Sequence, residues 1–120
     1  MILVQLTMES STEKAVLAAQ AATITALPDS IAKAIECSTA GMVLSVNRVD
    51  QLTGGLHIVV EIDDPRPKAH VAIQGGGGEI GYMMAKRIVD HYGTDDDPNN
   101  RIGVVLRRSE GIFTASNTLT

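Results

Sequence analysis

The sequence predicts an α+β fold, a two-layer sandwich with helices on one face of a mainly antiparallel sheet. Three observations favour it: the chain opens on a short apolar run, two longer segments have helical periodicity, and later segments alternate polar and apolar residues. The 120 residues, 44% of them hydrophobic, are enough for one modest core. We therefore expect a single domain over residues 1–120.

The first quarter of the chain predicts a strand and a helix. The apolar run Ile2–Met8 is typical of a strand that is buried on at least one face. Ser10 and Glu13 have the spacing of a capping box, which predicts a helix over residues 12–27. Pro28 is expected to break this helix, because proline lacks the N–H that a helix interior needs.

A second, shorter helix is predicted over residues 31–40, ending at Gly41. The periodicity then changes from helical to alternating. Residues Met42–Val49 and Leu56–Ile62 alternate on either side of a connection that contains two glycines. This pattern predicts two strands paired as a hairpin.

The second half of the chain predicts a strand, a helix and one or two further strands. Residues 63–68 contain two prolines and form a polar connector, and residues 69–73 form a brief strand. A helix is predicted over residues 79–92. The last clear strand covers residues 101–108, and residues 111–116 can pair with it after a turn.

Without the brief strand, the element order is β-α-β-β-α-β, which is the ferredoxin-like order. Sheets of this kind leave one face uncovered, and small proteins often cover it by association, so a homo-oligomer is the expected state. The alternative fold is a small α/β protein whose C-terminal strand, glycine loop and helix form a Rossmann-like β-α-β unit.

Composition excludes several classes of function. The chain has two Tyr, one Phe and no Trp, and its net charge is −4, so a nucleic-acid partner is not expected. Its opening apolar run is too short for a signal peptide or a membrane span, which predicts a cytoplasmic protein with no membrane partner. Cys37 is the single cysteine, and the three histidines lack the spacing of metal ligands, so no metal site is expected.

Four consecutive glycines precede the second long helix and form the candidate binding loop. Glycine permits positive φ and close approach of a ligand to the backbone, and the N–H groups at a helix start can bind an anion. The candidate residues for binding an anionic or nucleotide-like ligand are Gly75, Gly76, Gly77, Gly78 and Gly81. Candidate cations near the loop are Arg66, Lys68, Arg107 and Arg108.

The spacing Gly76-x-Gly78-x-x-Gly81 satisfies G-x-G-x-x-G and follows a predicted strand. The segment 69–111 resembles the first β-α-β unit of NAD(P)-binding proteins, and this resemblance implies that Arg107 and Arg108 lie near a ligand phosphate. The chain is too short for a complete dehydrogenase, so a small nucleotide or phosphate binder is the expectation. No particular cofactor is indicated.

An acid/base site is the alternative. His70 precedes the strand that enters the glycine loop, and Asp63, Asp64 or Glu79 could act with it as catalytic groups. The two aspartates beside Pro65 could instead cap a turn. Three functions therefore remain open: an oligomeric regulatory or accessory protein that binds an anion at the glycine loop, a small oligomeric enzyme with its site at an interface, and a structural assembly subunit.

Overall fold

The computed structural model describes residues 1–66, 77–92, 101–109 and 111–117, with only the backbone of residues 77–80. Five strands form one sheet in the order β2-β1-β3-β4-β5. The β1/β2 and β3/β4 pairs are parallel, whereas β1/β3 and β4/β5 are antiparallel. The elements are β1 (Ile2–Glu9), α1 (Lys14–Ala34), a 3₁₀ turn (Thr39–Gly41), β2 (Met42–Val49), β3 (Ile58–Asp63), α2 (Gly77–Tyr92), β4 (Ile102–Arg108) and β5 (Gly111–Ser116).

The fold is a small α+β sandwich built from two consecutive β-α-β units, β1-α1-β2 and β3-α2-β4, joined along the antiparallel β1/β3 pair. The element order β-α-β-β-α-β is therefore as predicted. The sheet is mixed, however, and each helix connects two strands that are directly adjacent. The ferredoxin-like strand order is not confirmed, and the strand over residues 69–73 that opens the β-α-β unit of the alternative fold lies outside the described residues.

The predicted hairpin between β2 and β3 is wrong, because β1 lies between these strands. The central register pairs Leu6 with Val46 on one side and with Val60 on the other. The connection from β2 to β3 passes the end of β1, where Ser10 N–H donates to the Val49 carbonyl at 2.7 Å and Glu9 N–H donates to the His57 carbonyl at 2.9 Å. Alternation identified both strands but carried no information about the strand between them.

The predicted helix break at Pro28 is also wrong, since α1 runs without interruption from Lys14 to Ala34. A proline inside a helix costs about 3 kcal/mol. Leu27 and Ile31, both fully buried, lie on either side of it and hold both halves of α1 against the sheet. The helix ends before Glu36, whose φ is 54°, so the second helix predicted to reach residue 40 does not form.

The predicted capping box does not form either. Glu13 is the N-cap of α1, with no side-chain cap, and its N–H is bound by the Ser11 hydroxyl at 3.1 Å. Residues 102–108 and 111–116 confirm the last two predicted strands. The predicted strand over residues 69–73 lies outside the described residues.

The core lies between the helices and one face of the sheet. It is aliphatic, as the low aromatic content requires. Alternate residues of the three central strands point into it, and α1 and α2 cover them with Leu27, Ile31, Met84 and Ile88. The sheet contributes Ile2, Val4, Leu6, Met8, Ile58, Val60, Ile62, Ile102, Val104 and Leu106.

The opposite face of the sheet, which we call the open face, carries no helix of the described chain. Leu3, Val43 and Ile112 are 50%, 46% and 66% exposed on it. Between them lie polar and charged side chains, including Glu61 and Arg107. The open face therefore mixes apolar and charged groups.

Helix α1 is long and apolar enough to cross a membrane by length and composition alone, and a core helix of a soluble protein passes the same test. In this structure α1 packs on the sheet through Val16, Leu27 and Ile31. Gln20 is also fully buried, donating to the Glu9 carbonyl and accepting from Arg48, both at 2.8 Å. These contacts are those of a core helix in a compact globular protein.

Candidate functional site

The candidate site lies at the edge of the sheet where β3 and β4 end, which we call the carboxyl edge. A helix that connects two parallel strands runs antiparallel to them, so α2 starts at this edge. Its first two residues are Gly77 and Gly78, two residues earlier than the predicted start. Their N–H groups belong to the first helical turn, which lacks partners within the helix. The helix start therefore presents backbone donors without side chains.

Gly81 has a different explanation from Gly77 and Gly78. It is buried in α2, and a Cβ atom at this position would overlap the ring of Phe113 in β5. Only glycine lets the first turns of α2 lie this close to the edge strand. The last glycine of the predicted motif is therefore required by packing, and it needs no ligand to account for it.

A buried carboxylate with two arginines follows β3 at the carboxyl edge. Arg108 Nη1 donates to Asp64 Oδ2 at 2.8 Å, and both side chains are fully buried. Arg66 donates from Nη2 to Oδ2 and from Nε to Oδ1, both at 2.8 Å. The Arg66 side chain is 21% exposed. The cluster of Asp64, Arg66 and Arg108 therefore contains two positive charges in direct contact with one negative charge.

Arg66 also joins the carboxyl edge to the end of α1. Its Nη2 donates to the Ile35 carbonyl at 2.6 Å, and its Nη1 donates to the Glu36 carbonyl at 3.0 Å. A cation at a helix C-terminus satisfies carbonyl groups that have no partner in the helix. The Arg66 backbone N–H donates to Asp64 Oδ1 at 3.2 Å, which gives Asp64 the turn role expected beside Pro65.

The electrostatics of the cluster keep Asp64 ionised. Burial raises the pKa of its carboxyl, but hydrogen bonds from Arg66 and the charges of Arg66 and Arg108 outweigh that effect, so the pKa lies below its ordinary value. The hydrogen bonds to Asp64 raise the pKa of Arg66, and the nearby Glu36 carboxylate acts in the same direction. Asp64 is thus an anchor for cations and a poor proton donor at neutral pH.

The structure separates two predicted pairs of site residues. Asp64 and Arg108 point to the helix side, whereas Asp63 and Arg107 lie on the open face, because successive strand residues point to opposite faces. Arg107 Nη1 lies 3.9 Å from Asp63 Oδ1 there, and the same nitrogen is 3.8 Å from Glu61. Arg107 and Arg108 therefore cannot both contact one phosphate at the carboxyl edge.

Several predicted residues lie outside the described part of the chain. His70, Gly75 and Gly76 belong to this group, so the acid/base role of His70 stays a prediction. Glu79 lies in the first turn of α2, where only its backbone is described. Among the residues the structure describes, no group of three His, Cys, Asp or Glu side chains could hold a metal ion.

Cys37 lies near this cluster, just after α1. Partial burial raises the pKa of its thiol, the charge of Arg66 lowers it and that of Asp64 raises it, with a net increase. The thiol is therefore mainly protonated at neutral pH and weakly nucleophilic. This agrees with the role of a small packing residue beside the core.

The sequence indicates Arg66 only as one of four cations near the glycine loop and carries no signal of its contact with α1. The contact joins residues 31 positions apart, so no local pattern could indicate it. A usable signal existed for Asp64: it continues the alternation of Ile58, Val60 and Ile62, and therefore belongs to the buried side.

The fold and the carboxyl edge define a class, a small α+β domain of two β-α-β units. No family model and no curated protein matches the chain. It is similar to a solved structure described as "Q0 fused 4-OT wild type symmetric trimer", with a TM-score of 0.52 and 19% sequence identity, over 88% of this chain and 84% of that chain. At this identity the likeness concerns the fold.

Proposed function

We propose that this protein is the subunit of a small homo-oligomer that binds an anionic small molecule at the start of α2, in a regulatory or accessory role. The observation that carries the proposal is that α2 begins on two glycines at an edge where two arginines contact one carboxylate. The ligand class follows from this arrangement, since helix N-termini and arginines both favour anions.

Each part of the edge has a separate task. The first-turn N–H groups of Gly77 and Gly78 are the direct donors, with no Cβ between them and a ligand. Arg108 is fully buried and contributes positive potential without touching the ligand. Arg66 is partly exposed and is the cation that a ligand could reach from solvent. Glu79 belongs to the same turn, and its negative charge disfavours a highly charged anion.

Two observations support the oligomeric part of the proposal. Large apolar side chains stand exposed on the open face, among them Leu3 and Ile112. Exposed apolar groups of this kind mark contact surfaces when they cluster on one face. The similar solved structure is described as a symmetric trimer. The described helices cover one side of the sheet, and the other side thus has a surface suited to a second subunit.

Calorimetric titration with inorganic phosphate and with AMP tests the ligand site. Glu79→Gln should raise the affinity for both anions several-fold, because it removes a negative charge from the turn that binds them. Glu13→Gln is the matched control, since it makes the same change at the start of α1, and the affinity should stay as in the unmodified protein. The proposal of ligand binding fails if neither anion binds at millimolar concentration, or if both variants behave alike.

A structural assembly subunit without a ligand is the second candidate, and the exposed apolar groups of the open face favour it. It would form a stable oligomer and show no anion binding in the same titrations. The enzyme alternative has less support, because Asp64 is held ionised by two arginines and Asp63 lies on the other face of the sheet.

A further inference from the structure

A groove lined by residues of the two helices is not used by the proposed function. It has a volume of about 690 Å³ and is open to solvent. Cavities of about 300–1,000 Å³ commonly hold small molecules. Ser30 and Lys33 line it from α1, and Arg87 and His91 line it from α2. We call this feature the interhelical groove.

The lining residues reach the groove because of helical spacing. Arg87 and His91 are four residues apart and lie on one stripe of α2, and Ser30 and Lys33 lie three apart on α1. The small side chains of Ala26 and Ala34 lie on the same side of α1 and keep the groove open. The groove therefore forms where short side chains on α1 lie beside long cationic side chains of α1 and α2.

The groove carries the cationic side chains of Lys33 and Arg87. Within the described part of the chain, neither Lys33 nor Arg87 makes an ion pair. The neighbouring Lys86, by contrast, is paired with Asp90 at 3.0 Å outside the groove. Asp29 is the acidic residue among those described as lining the groove. This local excess of positive charge occurs in a chain whose net charge is −4.

A fixed hydroxyl adds a directional donor. The Tyr92 O–H donates to Ser30 Oγ at 3.0 Å, so Ser30 is oriented at the groove and its own O–H remains able to donate. The imidazole of His91 stands edge-on to the Tyr92 ring at a centroid distance of 4.8 Å, which restricts its orientation. Two cations, a hydroxyl and an imidazole thus face one space.

We propose that the interhelical groove binds a small multivalent oxyanion, a phosphate monoester or a dicarboxylate, through Lys33, Arg87, Ser30 and His91. Lys33 and Arg87 neutralise the charge of the ligand, and Arg87 can contact two of its oxygens at once. Ser30 and His91 supply hydrogen bonds that fix its orientation. Asp29 accepts from a hydroxyl group of the ligand and disfavours longer polyanions. This site is separate from the start of α2.

Amide NMR shifts of the ¹⁵N-labelled full chain test this proposal during titration with inorganic phosphate and, separately, with malonate. Saturable shifts are expected at Ser30, Lys33, Arg87 and His91. The double variant Lys33→Gln/Arg87→Gln should weaken binding at least tenfold. Lys14→Gln/Lys86→Gln is the matched control, because it removes two charges from the same helices outside the groove, and it should leave the affinity unchanged.

The same spectra distinguish this site from the start of α2. Shifts confined to Gly77 and Gly78 would overturn the groove proposal and leave the proposed function in place. An equal loss of affinity in both double variants would also overturn it, because it would indicate a general effect of charge. A preference for phosphate or for malonate at the groove supports the proposal and selects between the two ligand classes.

Discussion

Arg108 and Asp64 form an ion pair with a 2.8 Å hydrogen bond in which both side chains are fully buried. The pair joins the ends of β3 and β4 at the carboxyl edge of the sheet. Removing one member of a buried pair leaves an uncompensated charge, which costs about 3–5 kcal/mol, whereas replacing the pair by apolar groups is often close to neutral. Each charge is therefore stable in this buried site only while the other is present, and together they connect β3 to β4.

The first prediction concerns this dependence. Arg108→Met should lower the free energy of unfolding by about 3 kcal/mol, because Arg66 alone then compensates Asp64. The double variant Arg108→Met/Asp64→Leu should recover part of the loss. Urea unfolding measures both values. Lys86→Met is the control, since the exposed Lys86–Asp90 pair should contribute at most about 1 kcal/mol. Equal effects of Arg108→Met and Lys86→Met would contradict the buried role of Arg108.

The second prediction concerns acid. The pKa of Asp64 is lower in the folded protein than in the unfolded chain, where it is about 3.9, so the unfolded state binds the proton more readily. The stability that Asp64 contributes is therefore fully present above about pH 4 and is lost as the pH falls through the lower, folded pKa. Urea unfolding between pH 7 and pH 2 should show this loss. Asp64→Asn should have a flatter acid limb, and an unchanged acid limb would refute the assignment.

The third prediction separates the packing role of Gly81 from ligand binding. Gly81→Ala should destabilise the fold by about 1–3 kcal/mol, because its Cβ overlaps the Phe113 ring. Phe113→Leu should relieve the overlap, so the double variant should be more stable than the sum of the single effects. Gly41→Ala is the control, because no atom lies within 4 Å of a Cβ built there. Thermal unfolding gives all four values, and strict additivity would contradict direct contact.

The local pattern of the sequence predicted where the strands and α2 lie along the chain. It did not predict which strands are adjacent in the sheet. The alternation of Ile58, Val60 and Ile62 gave β3 its buried face, and the strand predicted over residues 101–108 corresponds to β4. Strand order depends on which two strands each crossover helix makes adjacent. The residue pattern within one strand of about eight residues does not specify its neighbour. The wrong hairpin follows from this limit, since β1 entered between strands adjacent in sequence.

The sequence predictions at Pro28 and at the adjacent residues Arg107 and Arg108 were wrong for two different reasons. The free-energy cost of a proline inside a helix was outweighed at Pro28 by the burial of Leu27 and Ile31. Sequence periodicity does not give the size of either effect. For Arg107 and Arg108 the information was present, because adjacent strand residues must point to opposite faces. Treating them as one phosphate-binding pair ignored that rule, which also places Asp63 and Asp64, the alternative partners of His70, on opposite faces.

The last prediction concerns assembly through the open face. Leu3→Asp should lower the mass of the oligomer, because it removes an apolar side chain that a second subunit would cover and places a second carboxylate beside Asp63. Leu17→Asp is the matched control: Leu17 is 41% exposed on α1, compared with 50% for Leu3 on the sheet, and its replacement should leave the assembly intact. Light scattering coupled to size-exclusion chromatography measures the mass of each variant, and circular dichroism confirms that each is folded.

If the unmodified chain is a monomer at 100 μM, or if Leu17→Asp dissociates the assembly while Leu3→Asp does not, the open face is not the interface. A loss confined to Leu3→Asp would assign the uncovered side of the sheet to contacts between subunits and leave both helices facing solvent, where the interhelical groove lies.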